Sequence, residues 1–363
     1  MAKQEALPTS VATLPSYSEV IAYLSKKKRK KHLLLGNGFS MAYDHEIFSY
    51  NALSKFIETT GDELVNKLFE KLKTKNFESV MQQLDDFSAI AGVFSADATL
   101  VPRLQAASEK LKLSLIDAVK TLHPEHVFAV PAERSAKCMA FLQEYLQNDG
   151  LVFSTNYDLL LYWVLMRNAA QNAVDGFGRD LETDLDAGVH VPPEDLEWSE
   201  LHWGKYKEGM TVFYLHGTLP FFDTGVHVVK VEYRTGHNLL ENVKQRINEK
   251  QYPIFVTAGN GQQKLVHIMH NKYLTHCYEK FCTIQGSLVV FGFGFGESDL
   301  HIIEAINKAA KQKKGENLLS VYVGVFSDDS LKRLVRLREQ IKCNKVHFYN
   351  ARTVEIWGDL NAW

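Results

Sequence analysis

Seven short apolar runs punctuate the chain, each closing on glycine or a polar residue: "HLLLGNG", "LVFSTNYD", "VFYLHG", "IFVTAGNG", "SLVVFGFGFG", "SVYVGVF" and "KVHFYN". Their hydrophobicity is continuous rather than alternating, which means that each strand must be buried on both faces. Helical patterns separate several of them, as crossovers do in a parallel sheet covered on both sides. The expected fold class is therefore α/β: a doubly wound, mostly parallel Rossmann-like sheet.

Two intervals exceed what a crossover needs. Residues 41–150 read as helical almost throughout, as in "ALSKFIETTGDELVNKLFEKLK" and "AERSAKCMAFLQEYLQ", with no strand pattern. A whole crossover takes only about a dozen residues. We read 41–150 as an inserted all-helical lobe overhanging the ligand crevice, and 1–40 with 151–363 as the sheet domain. Within the latter, 168–210 is acidic and punctuated by Gly and Pro ("DLETDLDAGVHVPPEDLEWSE") and reads as a long surface loop.

Composition narrows the function classes. A formal net charge of -2 removes the broad basic footprint of a nucleic-acid or membrane-surface binder, so a charged ligand must meet a local pocket. No apolar stretch approaches the roughly 18 residues of a spanning helix, and the expectation is a cytoplasmic protein. Cys138, Cys277, Cys282 and Cys343 form no C-x-x-C pair, in keeping with reduced thiols. The richest metal candidate, "HIMHNKYLTHCYEKFC" with His267, His270, Cys277 and Cys282, has the irregular spacing of an ordinary amphipathic helix, and no metal is expected. The basic run "KKKRKKH", 26–32, reads as a solvated helix end. It enters the first strand from the side opposite the ligand crevice, one strand length of roughly 15 Å away.

The strand ends carry the chemistry. In "LLLGNGFS", Gly36 and Gly38 permit a tight turn that brings backbone N–H groups near an anion, with Asn37 and Ser40 as polar handles. The G-x-G-x-x-G fingerprint of dehydrogenases fails, because Met41 stands where its third glycine would be. "STNYD" places Thr155, Asn156 and Asp158 beyond the second strand, and "LHG" places His216 and Gly217 beyond the third. "GFGFGESD" adds Gly292, Gly294 and Ser298, with Ser298 or Asp299 able to cap the next helix. Singly, Asn156 also fits an Asx turn, Asp158 a helix cap and His216 a hydrogen-bonded core histidine. Tyr157, Phe293 and Phe295 read as packing residues. Together the four loops describe a dinucleotide-sized crevice.

The ordered set "GNGFS", "STNYD", "LHG" and "FGFGFGESD" resembles the sirtuin superfamily, in particular the sirtuin-like domains of bacterial antiphage defence proteins. The resemblance implies NAD as substrate. Gly36, Asn37, Gly38 and Ser40 would then meet its phosphates, Thr155 and Gly217 would line the site, and Gly292, Gly294 and Ser298 would line the adenosine end. Asn156 would position water or the ribose, Asp158 would face the carboxamide, and His216 would act as general base on a ribose hydroxyl. The four-cysteine zinc module of family deacylases has no counterpart here, and Thr155 and Tyr157 stand where typical deacylases carry Gln and Ile. The expectation is therefore NAD+ hydrolysis to nicotinamide and ADP-ribose, with a non-catalytic NAD or ADP-ribose sensor as the alternative and protein deacylation behind both. Because a constitutive NADase would poison its cell, gating is expected, by homo-oligomerisation or by a protein partner or phage-derived activator on the helical lobe. Neither nucleic acid nor membrane is an expected partner. Glu58 lies about twenty positions past the first glycine turn but in a helical pattern, so no residue is assigned to the adenosine ribose and the choice between NAD and NADP stays open.

Overall fold

The structure is a computed structural model that describes residues 8, 10–44, 63–72, 77–94, 99–122, 127–182, 197–232, 239–249, 251–256, 260–313 and 315–358. Strands are numbered in chain order. The large sheet contains β1 (Lys31–Leu35), β2 (Val152–Ser154), β7 (Val212–Tyr214), β11 (Gly286–Phe291), β12 (Leu318–Val325) and β13 (Lys345–Asn350). Its spatial order is β13-β12-β11-β1-β2-β7, every pair parallel. Ranked by appearance in the chain, the strands lie 3-2-1-4-5-6, the doubly wound arrangement whose ligand crevice falls where the winding reverses. That point lies between β1 and β11.

Continuous burial explains why these runs form central strands. All five residues of β1 are buried, including Lys31 and His32. Lys31 Nζ donates to Ser25 Oγ at 2.9 Å and pairs with Glu144, while His32 Nε2 meets the carbonyl of Gln285 at 2.8 Å. The 26–32 run is thus not wholly a solvated helix end. Its last two members are core residues with dedicated partners, a distinction that sequence charge does not reveal. The helix Tyr17–Lys26 starts with a capping box between Ser16 and Glu19 and packs against β13.

One apolar run lies outside the parallel sheet. β10 (Pro253–Phe255), from "IFVTAGNG", pairs antiparallel with β8 (Gly217–Asp223) in a second sheet that also holds β9 (Val228–Lys230), β6 (Leu201–Trp203) and β3 (Phe177–Gly178). All three residues of β10 are buried, so its pattern matches that of a parallel strand. The chain passes from one sheet to the other at Gly217, whose φ is +72° and whose Cβ would lie 1.9 Å from the carbonyl oxygen of Ile254. Only glycine turns this corner. Between 168 and 210, where a surface loop was expected, the described residues form β3, β6 and a small pair, β4 (Leu181–Glu182) with β5 (Glu197–Trp198).

Over 41–150 the described residues beyond the first glycine turn are helical, with the helices Glu63–Leu72, Phe77–Phe94 and Leu100–Leu122 packed on one another. The second of these touches β10, and the third touches the helix Leu239–Asn248. The helix Ala132–Leu146 instead lies on β1 and β2 and belongs to the sheet layers. Glu58 lies outside the described residues.

The tips of β1 and β11 meet backbone to backbone. A Cβ on Gly292 would stand 2.5 Å from the amide nitrogen of Phe39, and Gly292 has φ +70°, whereas a Cβ on Gly294 would have nothing within 4 Å. Gly292→Ala therefore combines left-handed strain with overpacking and is expected to cost about 2–5 kcal/mol. Gly294→Ala is expected to lie within about 0.5 kcal/mol of wild type. Urea denaturation of the two variants checks the contrast.

Candidate functional site

The glycine turns hold each other before they hold anything else. The N–H of Gly36 donates to the carbonyl of Phe291 at 3.0 Å, and that of Gly38 to the carbonyl of Gly292 at 2.8 Å. An anion cradle needs free N–H groups. These two are committed to closing the switch point, and Gly38 also borders the cavity described next. Trp357 clamps the turn from behind, donating from Nε1 to the carbonyl of Phe39 at 3.0 Å while its ring meets that of Phe39 at 5.2 Å.

On one side of this contact opens a cavity of about 490 Å³. Asn37, Gly38, Gly292 and Gly294 border it from the two tips, and Phe326, Ser330 and Arg333 from the β12 end and the helix Asp328–Val335. Phe291 and Phe293 make it largely aromatic. Phe295, its neighbour in the loop, stands at φ 48° and packs edge-on against Phe293 at 4.8 Å.

On the other side the polar residues of β1, β2 and β7 form a buried hydrogen-bonded set. Ser40, in the short helix Gly38–Met41, donates from Oγ to Asp158 Oδ2 at 2.6 Å and accepts from Asn156 Nδ2 at 2.9 Å. Asp158 Oδ1 accepts from the N–H of Leu160 at 2.9 Å and so serves the first turn of the helix Leu160–Arg167. Burial raises the Asp158 pKa, against the lowering effect of the Ser40 and Leu160 hydrogen bonds. Ser40 is fully buried, and its hydroxyl is a strut between the glycine turn and β2. Thr155 donates from Oγ1 to the carbonyl of Leu35 at 3.1 Å, a second strut of the same kind.

His216 joins this set from β7. Its side chain hydrogen-bonds the backbone of Thr155, and its Nε2 lies 2.8 Å from Nε2 of His301 with the rings stacked at 5.1 Å. Of the two facing Nε2 atoms one donates and the other accepts. His301 Nδ1 has no hydrogen-bond partner although it is buried. Burial holds His216 well below the usual histidine range, with His301 and Lys264 adding to the effect. Burial and then Lys264 hold His301 down at about 3. Beside them Lys264 and Asp299 form an ion pair at 2.9 Å, both side chains almost fully buried. Asp299 sits at the N-cap of the helix Leu300–Ala310 but gives its carboxylate to Lys264, not to the helix.

The expected residues thus separate into two groups. Asn37, Gly38, Gly292 and Gly294 border the cavity. Ser40, Asn156, Asp158 and His216 form the buried set, with the partly buried Thr155 and the sheet-to-sheet corner Gly217 beside it. Ser298 is partly buried beside Asp299 and borders no part of the cavity. His301, Lys264 and Arg333 escaped the sequence reading. His301 sits in "SDLHIIEAI", in the first turn of a helix that buries an apolar face, and only a partner on another element gives it meaning. Cys277 and Cys282 are buried, and among the described residues no His, Cys, Asp or Glu group has metal-binding geometry. The helix foreseen across "HIMHNKYLTHCYEKFC" breaks at Asn271, which ends one helix and caps the next.

The class that fold and site define is an α/β protein with Rossmann-type strand order, an aromatic cavity at the switch point and a buried imidazole and amide set beside it. Within that class the chain belongs to the family described as a domain of unknown function, DUF4917, whose model matches residues 33–357. No curated protein matches it. The matched span takes in every strand of both sheets except the first two residues of β1, so the unit the family defines is the whole arrangement. Among the described residues no helix is long and apolar enough to cross a membrane.

The histidines generate a pH prediction. His301 titrates near 3 in the fold, against about 6.5 when unfolded, so between those values the unfolded chain binds more protons and stability rises with pH. Lowering the pH from 6.5 toward 4 is expected to remove stability on the order of 1.4 kcal/mol per unit for this group. His301→Asn, compared with wild type by thermal melts across that window, is expected to flatten the dependence. An unchanged slope would place the effect elsewhere.

Proposed function

We propose that the protein hydrolyses the nicotinamide N-glycosidic bond of a nicotinamide dinucleotide, giving nicotinamide and ADP-ribose. The observation that carries this reading is the position of the buried Asn156 and His216 set immediately beside a nucleotide-sized cavity at the switch point of a 3-2-1-4-5-6 sheet. The cavity suits the adenosine half, and the buried set suits the nicotinamide ribose.

Bond cleavage expels neutral nicotinamide and leaves positive charge on the sugar. A neutral amide such as Asn156 orients water there without being alkylated, and an imidazole held neutral by burial adds no opposing charge. A ribose hydroxyl reaching His216 would replace His301 as the partner of Nε2, which makes the pair an acceptor for the proton that the reaction moves. Enclosure supports gating. Asn156 and His216 are only 6% and 4% exposed, so a dinucleotide reaches them when the surrounding contacts give way. Homo-oligomerisation or a partner acting on the helical lobe is the proposed trigger, and depletion of NAD in antiphage defence the proposed use.

A second reading has its own support. Nε2 of His216 and both oxygens of Asp158 are already engaged within the protein, as in a binding module that senses the nucleotide without cleaving it.

Incubating purified protein with NAD+ and quantifying nicotinamide separates the two. Hydrolysis predicts release that falls by about 10²- to 10⁴-fold in Asn156→Ala and in His216→Ala. Ligand binding by calorimetry with no release in any oligomeric state would establish the sensor instead, and full activity in an isolated monomer would remove the gating.

A further inference from the structure

Among the residues that line the cavity at the glycine tips, Arg333 alone is ionised. It is exposed, and its Nη2 lies 3.4 Å from Ser330 Oγ, a hydroxyl also within 3.0 Å of Ser327 Oγ. The nearest carboxylates are occupied elsewhere. Asp328 Oδ1 accepts from the N–H of Val11 at 2.7 Å, and Asp329 pairs with Lys332 at 2.9 Å, feeling Arg333 only as a lesser influence.

The chemistry of an adenosine ribose discriminates between two kinds of site. Free hydroxyls of an unphosphorylated ribose are matched by a carboxylate acceptor, whereas a ribose phosphate is matched by a guanidinium. No carboxylate borders this cavity among the described residues, and a guanidinium does. An arginine fork also binds a phosphate monoester through two parallel N–H···O bonds, which a hydroxyl cannot accept with equal strength. The aromatic walls from Phe291, Phe293 and Phe326 supply the complementary surface for a base.

We propose that the cavity takes an adenine nucleotide phosphorylated on its adenosine ribose, with Arg333 as the residue that receives that phosphate, so that the preferred dinucleotide is NADP+ rather than NAD+. This rests on the preceding reading that the cavity houses the adenosine half. Arg333 determines specificity and takes no part in bond cleavage.

Calorimetry with ADP-ribose and 2′-phospho-ADP-ribose tests it without requiring turnover. The phosphorylated ligand is expected to bind roughly tenfold or more tightly, and the preference to shrink as salt rises. Arg333→Gln, on an exposed helix position, is expected to abolish the preference while leaving ADP-ribose affinity unchanged. Equal affinities in wild type, or a preference that survives in R333Q, would overturn the assignment and leave the dinucleotide reading standing. Failure of both ligands to bind would remove both readings.

Discussion

Two backbone hydrogen bonds, from Gly36 to Phe291 and from Gly38 to Gly292, set the geometry of everything around them. In a doubly wound sheet the switch point opens because neighbouring crossovers leave in opposite directions. Here the first turn after β1 is drawn onto the turn after β11, and the absence of side chains at Gly38 and Gly292 is what allows it. The crevice is divided as a result. Space remains toward β12, while on the β2 side Ser40, two residues past Gly38, is delivered into hydrogen-bonding range of Asn156 and Asp158.

The buried set is costly by the ordinary rules of burial, which makes its completeness informative. A carboxyl, two imidazoles and an ion pair share one region with little access to water. An ion pair so placed is weak evidence for stability, because desolvation cancels much of the attraction. What it does provide is a positive charge near two imidazoles, which adds to burial in holding the pKa of both down. The unsatisfied Nδ1 of His301 is the one loose end of that set, and an unpaired buried polar atom is the kind of local expense that native folds rarely carry without use.

Much of this was legible in the sequence, and what was not follows from geometry. Continuous apolar runs announced β1, β2, β7, β11, β12 and β13, because a strand buried on both faces leaves no polar alternation. The same signal misassigned β10, since a buried strand of an antiparallel layer has the same pattern and only the corner at Gly217 redirects it. The residues around the second and third strand tips were legible from their polarity alone. Their partners were not: whether Asp158 faces solvent, caps a helix or bonds Ser40 depends on a residue 118 positions away, and the bland cap reading and the engaged reading turn out to coexist. Glycine motifs are ambiguous in a different way, because Gly-rich tips suit close backbone packing as well as anion binding and the sequence does not distinguish them.

Dividing the switch point also divides the chemistry. The open side has aromatic walls and carries one cation, which would suit a base and an anion; the closed side holds an amide, two imidazoles and a carboxyl, which would suit a sugar's hydroxyls. A ligand that satisfied both would have to pass over the Gly38 and Gly292 contact, which is made of backbone with Trp357 behind it. Closing the path at its narrowest point with glycine, and not with a bulky side chain, therefore places the resistance to ligand entry in a few hydrogen bonds. Each is worth on the order of 1 kcal/mol net, so the proposed ligand, bound at the open side, would have to supply only a few kcal/mol to displace them.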